Sequence, residues 1–110
     1  MDSLIIKKEH LDKIFDEDKI WEIRGSRTHK RGLIGLIQSG SGKVVGECYL
    51  VDCVGPLTKD EFTSHSDKHK SLNVDLSYKN TFAWVLKDAE RYSEPKPYSH
   101  PKGAIIWVKV

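Results

Sequence analysis

The chain has 110 residues, 38% apolar and 31% charged, with 18 Lys and Arg against 16 Asp and Glu for a net charge of +2. These proportions suit one globular domain spanning residues 1–110 and exclude a disordered chain, a collagen-like repeat and a disulfide scaffold. Near-neutrality argues against a strongly basic nucleic-acid binder, yet six acids and two lysines between Glu9 and Glu22 give way to five cations and no acid between Arg24 and Gly46.

Leu4-Ile5-Ile6 is a short apolar run that suits a first strand or the lead into a helix. Leu11, Ile14 and Phe15 follow at helical spacing. Asp16-Glu17-Asp18 should end that helix, because a helix C-terminus disfavours negative charge. Ile20-Trp21-Glu22-Ile23-Arg24 reads as a strand, and Gly25 to Lys30 as a basic loop. Gly32 to Gln38 is a second apolar run. Ser39-Gly40-Ser41-Gly42 is a hairpin turn leading into the longest strand signal, Lys43 to Val54. Gly55-Pro56 closes that strand. Thr58 and Glu61 form a capping box, so a short helix starts there. It carries Phe62 as its one large apolar residue, and His65 and His69 are expected to be solvated. Thr81 to Leu86 is a strand. Arg91 to Gly103 holds Pro95, Pro97 and Pro101 and is expected to be a loop or extended connection, since proline does not suit a central strand. Ala104 to Val110 is the closing strand. The sum is an α+β chain built on a small, strongly curved, mostly antiparallel sheet or barrel.

No run approaches the length of a membrane span, and the N-terminus lacks a signal-peptide apolar region. Cys48 and Cys53 are five apart, which suits buried thiols rather than a bridge, and a reduced, cytoplasmic setting is expected. Ser39-Gly40-Ser41-Gly42-Lys43 is no phosphate loop, because Ile37 stands where a Gly is needed and Val44 where Ser or Thr is needed. No cofactor or metal set is read from the sequence.

The remaining candidate is Lys19-Ile20-Trp21-Glu22-Ile23-Arg24. Strict alternation puts Glu22 and Arg24 on one side and Lys19, Trp21 and Ile23 on the other. Two readings stand: a surface ion pair, or a charged cleft floor in which Arg24 binds phosphate or carboxylate and Glu22 orients it or accepts from a base edge.

Lys19, Glu22 and Arg24 match the Gly-x-Lys-x-x-Glu-x-Arg signature of the ASCH domain family, with Glu17 at the Gly position. Gly46-Glu47, Pro56-Leu57-Thr58, Phe82-Ala83-Trp84-Val85-Leu86 and the stretch from Pro97 to Trp107 also resemble that family, over about Leu4 to Val110. The resemblance implies a PUA-like β-barrel with two or three short helices at its mouth and a cleft lined by the signature residues. The family is similar to PUA, EVE and YTH domains, so the resemblance implies binding of RNA or a modified nucleotide. On that reading Lys19, Trp21, Glu22, Arg24, Arg27, Lys30, Arg31 and Tyr98 contact the ligand, the basic loop rimming the cleft, and Trp107 is a further stacking candidate.

The resemblance also implies a hydrolase alternative, since some small bacterial members of the family act on N4-acetylcytidine-type nucleosides or on RNA. Here Glu22 replaces the Thr nucleophile of the amidohydrolase group, leaving Lys19 and Glu22 as the catalytic candidates of an enzyme. A third reading is an interaction module using Thr58 to Asn73.

Overall fold

A computed structural model describes residues 1–71 and 79–110 of the chain. The elements run β1 (Asp2–Ile6), α1 (Lys8–Asp16), β2 (Trp21–Arg24), β3 (Gly32–Gln38), β4 (Lys43–Val54), α2 (Lys59–Ser64), α3 (Ser66–His69), β5 (Phe82–Pro97) and β6 (Trp107–Lys109). Among the described residues, the six strands form one sheet in the order β2-β5-β4-β3-β1-β6. Only β1 and β3 pair in parallel; the other neighbours are antiparallel. The sheet curls into a half-barrel around Leu4, Leu36, Cys48, Leu50, Trp84 and Leu86, with Leu11 and Ile14 of α1 packed on the same core.

The alternation of each strand explains the curl. Cys48 and Leu50 of β4 point inward while Tyr49 and Val51 point to solvent. Three register shifts between β4 and β5 tighten the twist, one of them between Val44 and Gly46. Gly46 also lets helix α1 settle on the sheet. A Cβ there would lie 2.5 Å from the Glu90 carbonyl oxygen and 2.5 Å from Cζ of Phe15. Cys48 and Cys53 are both buried and unbridged, and burial pushes the Cys48 thiol up to about 12.

The sequence expectations hold for α1, β2, β3 and β4, and the capping box forms with Thr58 and Glu61 bonding reciprocally. Two expectations need correction. The stretch from Arg91 to Pro97 is not a loop; β5 continues through it, with Lys96 facing Val44 and Pro97 facing Lys43. β2 covers only Phe82–Val85, so the remainder of β5 is an edge among the described residues, and an edge tolerates Pro95 and Pro97. The closing strand is also shorter than expected. Ile105 and Ile106 bend, and only Trp107–Lys109 pairs with β1 among the described residues.

The chain ends meet on this last strand pair. The Met1 ammonium donates to the Val110 carbonyl at 2.7 Å, and the Val110 N–H donates to Met1 at 2.9 Å. No helix is long and apolar enough to cross a membrane, among the described residues.

Candidate functional site

β2 and β1 lie on opposite flanks of the sheet order, yet the curl brings them face to face. Arg24 spans the seam, its Nη2 donating to the Ile5 carbonyl at 2.9 Å. A cavity of about 330 Å³ opens here, lined by residues from β1, α1, β2 and the segments after β3, after α3 and before β6. Its polar side chains are Lys7, His10, Lys19, Glu22, Arg24, Ser39 and Ser71.

Glu22 sits at the centre and is 4% exposed. Its Oε2 accepts from Arg24 Nε at 3.2 Å and Nη2 at 2.9 Å. Its Oε1 lies 3.9 Å from the Lys19 ammonium and accepts no hydrogen bond among the described residues. The alternation argument put Lys19 on the far side from Glu22. It fails because β2 begins at Trp21, so Lys19 belongs to the loop before the strand and is free to turn inward.

Lys19 is 2% exposed. Its ammonium donates to the His69 carbonyl and to Ser71 Oγ at 3.3 Å. Burial pushes the amine below the ordinary lysine value, while the Glu22 carboxylate pulls the other way. Arg24 stacks its guanidinium 5.5 Å from the Trp84 ring centroid. Its Nη1 finds no acceptor among the described residues, so it is the one arm of the fork left for a ligand. Lys7 lines the rim and is exposed.

The other candidates lie elsewhere. Trp21 points away from Glu22 under α2 and α3, stacked on His65 at 4.8 Å with the Lys68 ammonium 5.2 Å from its ring. Arg27 donates to the Gly55 carbonyl and lies over Phe82; Lys30 pairs with Asp2 and lies over Trp107; Arg31 donates to the carbonyls of Thr28 and Lys30. The loop that looked like a rim is therefore folded onto the protein, and none of its cations lines the cavity. Tyr98 lines an adjoining hollow. Trp107 stacks on Trp84 at 5.8 Å, as part of the core margin.

Three participants escaped the sequence. His69 is not solvated. It is 1% exposed, stacks on Phe62 at 4.0 Å, and its ring nitrogens meet the Phe62 carbonyl and the Ser71 N–H. Phe62 lies on α2 and His69 on α3, so their stacking crosses the break at His65 and no single helical face signals it. Ser71 follows from His69. His10 lines the cavity from α1, four residues before the buried Ile14, and that spacing places it on the helix's inward side. Leu72 and Asn73 of the suggested interaction segment lie outside the described residues. Among the described residues no three metal-capable side chains converge.

Burial holds His10 below the ordinary histidine value, against the pull of Glu22 and Glu9 and with the push of Lys19 and Lys13; His69 is lowered chiefly by burial too. Each is depressed in the native state, so below about pH 6.5 the unfolded chain binds the extra protons and stability falls as pH falls. The urea midpoint of the wild type is expected to drop between pH 7.5 and 5.5, and the drop should shrink in His10→Gln. An identical drop in both proteins would remove His10 from this account.

A curled, mostly antiparallel six-stranded sheet with a few short helices is the architecture of a PUA-like domain. The chain belongs to the ASCH domain family, whose profile matches residues 4–96. Solved structures agree on the fold. ASCH from Zymomonas mobilis superposes with a TM-score of 0.71 at 14% identity, covering 87% of this chain and 72% of that one. A Ser-to-Ala variant of the same bacterial protein gives 0.71 at 16% identity, covering 98% and 87%. No curated protein sequence matches the chain significantly.

Proposed function

We propose that the seam cavity binds a nucleotide of single-stranded RNA, or a modified nucleotide, as the ASCH membership suggests. The observation that carries this reading is the pair of unused groups on a rigid triad. Glu22 Oε1 is positioned to accept from an exocyclic amine or ring N–H of a base, and Arg24 Nη1 to donate to a carbonyl or phosphate oxygen. Lys19 does not reach the ligand first; it fixes Glu22 and keeps the pocket net positive. Lys7 adds a phosphate contact at the rim. Arg27, Lys30 and Arg31 contribute to the long-range field that draws an anion in.

The test is fluorescence anisotropy with a short random-sequence RNA at several salt concentrations. Few phosphate contacts should give a shallow slope of log affinity on log salt, about −1 to −2 at roughly −0.7 per contact. Arg24→Gln should weaken binding by at least about tenfold, the loss expected of a charge-assisted hydrogen bond. Arg31→Gln should change it far less. Equal losses in the two variants would move the site from the seam to the loop. Turnover of N4-acetylcytidine or RNA that vanished in a folded Lys19→Ala protein would replace binding by hydrolysis as the activity.

A further inference from the structure

A second hollow of about 370 Å³ opens beside the seam cavity. The two share a wall made of Ile5, Ser39 and Ile105. Ile105 on that wall is 79% exposed, more than any other large apolar side chain among the described residues. Its exposure is imposed by fixed backbone on both sides. Ala104 N–H donates to Pro101, and the Ile106 carbonyl accepts from Ile5 N–H at 2.9 Å. Ser39 presents a hydroxyl that has no partner among the described residues on the same wall.

The second hollow carries no carboxylate, lysine or arginine. Its aromatic member, Tyr98, packs one side on the cluster of Ile37, Val44 and Val108. The Tyr98 hydroxyl lies 2.7 Å from His100 Nδ1, and His100 Nε2 lies 2.9 Å from the Ala104 carbonyl. A carbonyl only accepts, so Nε2 carries a proton, and in the neutral ring Nδ1 accepts from the Tyr98 hydroxyl. The ring is therefore held in one orientation, and a fixed ring beside an uncharged hollow is a stacking platform for a base.

From this arrangement we infer that the ligand spans both hollows, as two consecutive nucleotides of a single strand. Ile105 separates the two bases, the second base lies on Tyr98, and the connecting phosphodiester crosses Ser39. Apolar side chains that wedge between neighbouring bases are a known way of holding a strand unstacked. The inference rests on the reading of the seam cavity given above and narrows it: the smallest full ligand is a dinucleotide and not a free nucleoside.

The test compares the ribonucleoside 5′-monophosphates with the 5′-phosphorylated ribodinucleotides by calorimetry. The best dinucleotide should bind at least about fivefold more tightly than its own 5′ mononucleotide, the low end for one stacked base. In Ile105→Ser and in Tyr98→Ala that ratio should collapse towards one. In Arg24→Gln both affinities should fall while the ratio persists. Ile105 is exposed, so its substitution leaves the fold intact. Equal affinity of mono- and dinucleotides for the wild type, or a ratio that survives either substitution, overturns the second subsite and leaves the seam reading standing. No binding of either probe overturns both.

Discussion

Glu22→Gln should lower the unfolding free energy by about 3–5 kcal/mol, the range for breaking a buried ion pair from one side. The side chain keeps its shape, so the loss isolates the charge. Lys19 and Arg24 would then face each other across a neutral amide, and the Lys19 side chain is only 1% exposed, so bulk solvent screens it weakly. A domain of this size has a total stability of roughly 5–15 kcal/mol, so the loss is a large share of it. The double variant Lys19→Met with Glu22→Gln should lose less than the sum of the two single losses, because the methionine removes the charge that the first change strands.

The pH dependence gives a second check. Losing Glu22 removes the carboxylate that holds the Lys19 amine up, so its native value falls further below the ordinary one. The unfolded chain then binds the extra proton up to about pH 10.4. The Glu22→Gln deficit should therefore shrink as pH rises through that window. A deficit under about 1 kcal/mol that ignores pH would mean that the carboxylate plays no structural part.

Gly46→Ala is expected to cost about 3 kcal/mol, at the upper end for overpacking. The new methyl would meet the Glu90 carbonyl of β5 and the Phe15 ring of α1, each at 2.5 Å. The carbonyl belongs to a paired strand and cannot retreat without breaking the ladder. The remaining escape is for α1 to lift. That helix brings His10 to the cavity, so the variant should lose affinity for the short RNA as well as stability. Urea unfolding and anisotropy on the same preparation measure both. Unchanged affinity in a destabilised protein would show that α1 does not shape the site.

The strands with strong alternation or unbroken apolar runs were legible from the residues: Trp21 to Arg24, Gly32 to Gln38 and Lys43 to Val54. So was the Thr58 cap, because its chemistry is local. Pro95 and Pro97 misled because the rule against proline assumes neighbours on both sides, and the neighbour count of β5 is a property of the whole sheet. The triad shows the same limit. Lys19, Glu22 and Arg24 could be named from their spacing, but their meeting depends on where β2 begins. His69 and Ser71 are 50 and 52 residues from the lysine they hold, and no short-range pattern joins them. The basic loop looked like a binding rim by charge alone. Its cations instead find Gly55, Asp2 and the carbonyls of Thr28 and Lys30, partners that only the tertiary fold supplies.

The mutual hydrogen bonds of Met1 and Val110 have a bearing on how the domain can be attached to other modules. Two fusion partners, one at each end, would leave from the same corner of the molecule. The domain could equally be spliced into a surface loop of a host protein, since it would occupy a gap of only a few ångströms in the host backbone. In either arrangement it would hang as a side pendant, swinging about one point of suspension.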